Sequence, residues 1–465
     1  MITMEISYDV RVWQIETRQG LRRDSYRGRW SVAGRRRGRT FQTYALADGF
    51  RAELLTATHR GDPFDVLTGL PATHGPRASM VGWYDFALQF VDCQWPRVSA
   101  NHRRNTARTL MIVTTALLTW DPPGVGQRRV RIALQQWAFN TGRRDSAPDD
   151  VVAVLGWVRR HTPTMEVWND PAAVEDVLLV LGTLLDGTPA AASSVQRHRR
   201  VLNLVMRYAV RRRVLLENPL PRGRGGQRKR SIAVDRRCLL NPRQAAGLLD
   251  RVRRRPRGGA RLNTFFTTLY YAGMRPEEAV APKVRDLVLP QAEEDDQWGE
   301  VTVHGAEPEV GRQWTQTGTA HEQRGLKGRD ERETRCVPCH PALAHVLGDY
   351  VAARALRPED RLFAGERGGV LAGSVYRRAW RQARQEVLPP HVCASPTGKR
   401  IYDLRHTCLT TWLNSGVPPA QVAEWAGTSV AMLFVVYAHC ISGQTKELQR
   451  RIEAVWDIAS PDAAA

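Results

Sequence analysis

Four residues in the second half of the chain combine types that could work on a phosphate. Arg405 stands in "IYDLRHTCLTTWLNSG" (401–416), where Leu404, Cys408 and Trp412 recur at helical spacing and Asn414-Ser415-Gly416 supplies a stop. A permanent cation beside that apolar face calls for an anionic partner. Arg275, in "YYAGMRPEEAVAPKVRDL", sits where a long apolar helix ends and another opens at Pro276, with Glu278 close enough in sequence to hold it. Lys327 lies in "RGLKGRDERETRCVPC", just before a strand-like run, and Tyr437 in "VAMLFVVYAHC" follows Arg405 by 32 residues.

The chemistry follows from the side chains. Guanidinium groups match phosphate oxygens in a planar fork and keep their charge, so two of them can clamp a phosphorus centre that gains negative charge. A tyrosine hydroxyl becomes a useful nucleophile when cations favour its ionised form. A lysine, unlike arginine, can give up a proton to a departing hydroxyl. The chain holds 63 arginines and only 5 lysines, so Lys327 stands out at a position where this chemistry needs a lysine. Structural alternatives exist for each residue. Arg405 would pair inside the core with a carboxylate such as Asp403, Tyr437 would be a packed aromatic, and Lys327 a solvated hairpin tip.

The composition narrows the partner. The net charge is +21 with a pI of 10.4, which makes a polyanion such as nucleic acid the natural ligand. No apolar run approaches the ~20 residues of a membrane span. The start, "MITMEISYDVRVW", lacks a signal-peptide layout, and 7 scattered cysteines read as reduced thiols, so a cytoplasmic, nucleoid-associated protein is expected.

Four segments must position these residues. Residues 1–75 read as a small α/β module: β-like runs "YDVRVWQIETRQG" and "YRGRWSVAGRRRGRTFQTY", the second folded about Ala33-Gly34, then a helix capped by Thr43 and reaching Leu55. Arg35, Arg36 and Arg37 decorate the hairpin, either as phosphate contacts or as a solvated charged surface. Residues 76–222 read as an all-α domain with helices near Trp83, Ser99, Asp149 and Ser193 and a basic side that includes Arg103, Arg104, Arg199 and Arg200. Residues 223–240 form a basic linker with Arg228, Lys229 and Arg230, suited to crossing a phosphate backbone. Residues 241–465 read as a mixed α+β domain, mostly helical, with strands in "VRDLVLP", "GEVTVHG" and "ETRCVPC".

The boxes "GMRPEEA", "YDLRHTCLTTWLNSGV" and "VVYAHC" resemble the tyrosine recombinases, the integrase family of site-specific DNA strand exchange, over roughly Asn241 to Trp456. The resemblance implies an arm-type DNA-binding module, a helical core-binding domain and a catalytic domain with a small antiparallel three-stranded sheet. It implies that Arg275 and Arg405 clamp the scissile phosphate, Glu278 buttresses the site, Lys327 protonates the leaving 5′-hydroxyl and Tyr437 forms a 3′-phosphotyrosyl link. That link conserves the bond energy, so neither cofactor nor metal is implied. The implied partners are double-stranded attachment sites, a homotetramer formed by exchange of the C-terminal helix in "TKELQRRIEAVWDIA", and an accessory directionality protein. The function expected is that of a mobile-element integrase; the alternative is a degenerate relative that binds DNA with weakened catalysis.

Two positions depart from the family. Tyr402 stands where a His or Lys is usual and Thr428 where a His or Trp is usual. Both can donate a hydrogen bond to phosphate, yet neither is a base near neutral pH. Loss of one such contact typically costs about 10²–10³ in rate. His406 and His439 lie nearby in sequence. "CVPCH" (336–340) imitates a haem-attachment or half-zinc pattern and is read as the end of a strand.

Overall fold

In the computed structural model the described residues are 6–19, 24–71, 81–118, 124–221, 233–290, 297–326, 330, 333–437, 440, 449–450 and 452–453. The chain divides into two compact units, Met1–Val98 with Asn105–Pro221, and Ser99–Arg104 with Arg222–Ala465. The module and the helical domain that sequence reading separates at residue 75 thus fall in one unit. Lys327, Arg228, Lys229, Arg230, His439 and most of the C-terminal segment lie outside the described residues.

The first unit opens with a short pair, β1 (Ile6–Ser7) and the later β6 (Phe64–Asp65), and a small antiparallel sheet. In that sheet β4 (Ser25–Val32) is central, with β5 (Arg35–Phe41) along one edge and β2 (Val10–Val12) and β3 (Glu16–Arg18) in succession along the other. The β4–β5 turn places Ala33 and Gly34 at positive φ, the geometry a tight hairpin requires. Thr43 caps α1 (Tyr44–His59) through its side chain, and the helix continues one turn beyond the Leu55 expected from sequence. Trp30, Val32, Leu54, Ala57, Phe64 and Val66 form the core beneath.

Helices follow in the same unit: α2 (Trp83–Gln94), α3 (Ala100–Ala116), α4 (Gln127–Ala133), α5 (Asp149–His161), α6 (Pro171–Leu181) and α7 (Ala192–Arg211). Trp83 packs against Trp168 with ring centroids 5.1 Å apart and donates its indole N–H to Thr114. His198 on α7 shares a 2.8 Å hydrogen bond with Thr109 on α3. The first residues of α3 are counted with the second unit.

The second unit is mostly helical around a three-stranded antiparallel sheet of order β7 (Leu287–Val288), β8 (Gly299–Val303), β9 (Arg335–Cys339). These are the three strands expected from sequence, and Val301 faces Val337 across the register. Helices α8 (Pro242–Arg253), α9 (Gly259–Tyr271), α10 (Pro276–Ala279), α11 (Pro341–Ala353), α12 (Gly373–Val387), α13 (Pro390–Ala394), α14 (Tyr402–Asn414), α15 (Pro419–Ala426) and α16 (Val430–Tyr437) complete it. Asn241 and Gln244 form a capping box at the start of α8, which explains the sharp helix start after Asn241. Helix α14 departs from the amphipathic reading: residues on every side are buried, among them Asp403, Arg405, Thr407 and Thr410 beside Leu404, Cys408 and Leu409. A helix buried all round carries its polar residues inward, so each needs an internal partner. Those partners define the site.

Candidate active site

Two chain reversals bring the arginines together. Helix α9 ends at Gly273 with φ +57, and a Cβ there would press on Leu409 and Cys408 of α14. The missing side chain lets the end of α9 close on α14. Nη1 of Arg405 then reaches the Gly273 carbonyl, and its Nη2 donates to the Ala426 carbonyl at 2.7 Å. Arg275 precedes Pro276, whose ring fixes the first turn of α10, and its Nη2 donates to the adjacent Gly427 carbonyl at 2.8 Å. Two guanidinium groups from distant segments thus sit side by side at the C-terminal end of α15. That end presents free carbonyls and the negative pole of the helix, both of which favour cations.

Glu278 ties this pair to a third cation. Arg275 donates to Glu278 through Nη1 and through its backbone N–H at 3.1 Å. Arg335, opening β9, donates from Nη2 to Glu278 Oε2 at 2.8 Å and from Nη1 to Oε1 at 3.4 Å, while Arg405 approaches Oε2 at 4.0 Å. Burial alone would raise the carboxyl pKa of Glu278. Arg335, then Arg275 and Arg405, outweigh burial and hold it at about 2. Burial alone would likewise lower Arg275, but Glu278 and Tyr402 outweigh it and raise its pKa. Arg405 shifts the other way, lowered by burial and by Arg275.

Arg335 was not anticipated from sequence. Its signal was the strand alternation, which puts Arg335 on the same inward face as Val337 and Cys339. A charge on a core face implies a buried carboxylate. Gly427 makes room for it: its φ is +61, and a Cβ there would overlap Nη1 of Arg335. In sequence Thr428 is the position that stands out, yet it is the residue before it that the Arg335 guanidinium requires to be glycine.

The alternative of Arg405 paired with Asp403 is not what the structure has. Asp403 accepts instead from the Arg400 backbone at 2.7 Å and from its guanidinium. Arg405 is almost wholly enclosed: its side chain is 3% exposed against 18% for Arg275. Arg275 is therefore the more accessible of the two. Tyr402 is half-buried, with the Arg405 guanidinium 5.9 Å from its ring centroid. Thr428 is half-buried and donates its backbone N–H to Ala423 at 3.0 Å.

Tyr437 ends α16 and is 4% exposed. Its hydroxyl lies 2.8 Å from Nδ1 of His406, the residue after Arg405 on α14, with the rings 5.6 Å apart. Burial pushes the phenol pKa well above its usual value, against the downward pull of Arg405. Burial, with Arg400 and Arg405 nearby, lowers His406 to about 4. The described structure thus joins Arg275, Glu278, Tyr402, Arg405 and Tyr437 in one cluster, and adds Arg335 and His406 to it.

The residues assigned to DNA contact divide. Arg35, Arg36 and Arg200 are exposed and Arg199 is half-buried. Arg37 is occupied, donating to the Val66 and Leu67 carbonyls. Arg103 is buried and donates to the Trp314 carbonyl; Arg104 donates to Val310 and Asn101. These last three serve the fold in this conformation rather than an open basic face. Cys336 and Cys339 belong to β9, one exposed and one buried.

No family model matches the chain, and no curated protein matches it. Among solved structures, it is similar to XerH site-specific recombinase bound to difH substrate, at 15% identity and a TM-score of 0.42 over 76% of this chain and 95% of the other. It is similar to the Tn1549 transposon integrase in complex with a circular intermediate DNA, at 13% identity and a TM-score of 0.44 over 70% of this chain and 99% of that one. It is also similar to a lambda integrase dimer bound to a COC′ core site, at 12% identity and a TM-score of 0.45 over 92% of this chain and 95% of the other. No helix among the described residues is long and apolar enough to cross a membrane.

Proposed function

We propose that the protein is a tyrosine-type DNA recombinase that cuts and rejoins double-stranded DNA through Tyr437. The observation that carries this reading is the convergence of Arg275, Arg335 and Arg405 on the single carboxylate of Glu278, with Tyr437 in the electrostatic reach of Arg405. Three guanidinium charges against one carboxylate leave two positive charges in a largely dehydrated site. Such a surplus favours an anion with spread charge, and a phosphodiester passing into its trigonal-bipyramidal transition state has that character.

In this reading Arg275 meets the phosphate first, being the more exposed, and Arg405 supplies the inner half of the clamp. Tyr402 and Thr428 add hydrogen bonds to the non-bridging oxygens. Tyr437 attacks phosphorus, its bond to the 3′-phosphate forms as the bond to the 5′-oxygen breaks, and Lys327 gives that oxygen its proton. Attack by a 5′-hydroxyl from another duplex reverses the step. Because the phenol is buried at rest, the end of α16 must move before attack. A homotetramer on two attachment sites, exchange of the C-terminal segment and an accessory directionality protein complete the proposed setting, as for the integrase of a mobile element.

The buried, high-pKa phenol and the absence of a base at 402 and 428 favour a second reading, a relative that occupies such sites without turnover. Covalent selection separates the two. Wild-type protein is incubated with a library of nicked duplexes bearing randomised cores, and protein–DNA adducts that survive denaturant are sequenced. Enrichment of one core that then supports strand exchange between two duplexes supports the enzyme. Enrichment by binding without adducts supports the second reading.

A further inference from the structure

We propose that His406 is the proton acceptor for Tyr437, filling the role that neither Tyr402 nor Thr428 can. The inference rests on the recombinase reading and adds a catalytic residue to it. His406 and Arg405 are consecutive on α14, so their side chains diverge. Arg405 turns to the carbonyls of Gly273 and Ala426, and His406 turns to the phenol. The 2.8 Å separation of Nδ1 from the phenolic oxygen is hydrogen-bond distance, within the range that general-base transfer uses. Tyr402 packs edge-on against the imidazole, ring centroids 5.0 Å apart.

Both partners are neutral at rest, which suits a stored pair. Burial with Arg400 and Arg405 keeps the imidazole unprotonated at about 4, so at neutral pH one ring nitrogen carries a lone pair, and in the Nε2–H tautomer that nitrogen is Nδ1, facing the phenol. A bound phosphodiester brings a negative charge beside Arg405. That charge offsets the two cations, the lesser causes of the lowering, and so raises the basicity of the imidazole in part, burial being the larger cause. The step balances. The proton passes from the Tyr437 oxygen to Nδ1 as the oxygen–phosphorus bond forms, and the 5′-oxygen leaves with a proton from Lys327. In the return reaction the imidazolium hands its proton back to the departing phenol. The tautomer required carries its proton on Nε2.

Single-turnover cleavage of a nicked duplex carrying the core selected by wild type tests this. His406→Ala is expected to form adduct about 10²–10⁴-fold more slowly than wild type, with DNA binding retained, and added imidazole is expected to restore part of the rate. His406→Gln, which can still hydrogen-bond the phenol, is expected to be as slow and to gain nothing from imidazole. Adduct formation by either variant at or above the wild-type rate would overturn the proposal and leave His406 as a latch on the phenol. A slow His406→Ala without imidazole rescue, paired with a fast His406→Gln, would also overturn it and leave a packing role. Failure of the wild type itself to form adduct defeats the recombinase reading first, so the two failures are distinguishable.

Discussion

Arg335 and Glu278 should behave as one unit, and a double-mutant cycle can measure that. The Glu278 carboxyl is held at about 2 against 4.5 when free, and at 1.36 kcal/mol per tenfold change in proton affinity the difference is about 3 kcal/mol. The residue is 2% exposed, so solvent screening takes little from this. Because the folded value is depressed, the contribution is complete above pH 4.5 and is lost as pH falls from there towards 2. At neutral pH, Glu278→Gln leaves Arg335 and Arg405 as buried cations without their counter-charge, a loss expected at about 3–4 kcal/mol. Arg335→Met leaves Glu278 with Arg275 and a distant Arg405, so about 2–3 kcal/mol is expected. The double variant should lose no more than Glu278→Gln alone, giving a coupling of at least about 2–3 kcal/mol. The readout must follow the second unit only. Cys408 on α14 is buried, and the urea dependence of its reaction with a thiol reagent, read by peptide mass, reports that unit. Losses that add within about 0.5 kcal/mol would refute the shared-carboxylate account.

Three further outcomes follow from the same geometry. Gly427→Ala should destabilise the second unit by at least the roughly 1–2 kcal/mol of a left-handed alanine, and by more because Arg335 must move; the same thiol-labelling series measures it, and Gly427→Asn should be no milder. His406 is folded as a neutral imidazole, so the second unit should lose stability as pH drops from 6.5 towards 4, and His406→Gln should flatten that part of the profile. Arg35→Gln with Arg36→Gln should reduce the slope of log binding constant against log salt by about 2 if both touch phosphates; an unchanged slope in a filter-binding or fluorescence titration would leave that hairpin a solvated surface.

Much of the architecture can be read from the chain, for identifiable reasons. The β4–β5 hairpin is announced by Ala33-Gly34 between β-like runs, the start of α8 by the Asn241–Gln244 cap, and the second-unit sheet by three short alternating segments. The two arginines are legible because Arg405 stands within an apolar helix and Arg275 at the break between two helices. What sequence hides is long-range satisfaction. Arg405 bonds carbonyls of Gly273 and Ala426, and Arg335 bonds a carboxylate 57 residues before it. Periodicity says which face a side chain occupies, not which distant polar group it meets. For the same reason Arg37, Arg103 and Arg104 look like surface charge in sequence, yet they donate to backbone carbonyls. The glycine at 427 is unremarkable until a guanidinium is found in the space its side chain would fill.

The central claim is that the Tyr437 oxygen becomes covalently joined to DNA, and mass spectrometry of a trapped complex tests it most directly. Wild-type protein reacted with a nicked duplex of its selected core, then digested with protease and nuclease, should yield a peptide spanning Val430–Tyr437 with a nucleotide on Tyr437. Tyr437→Phe should bind the same duplex and yield none. A nucleotide on a different residue, or tight binding by wild type with every tyrosine unmodified, would contradict the account.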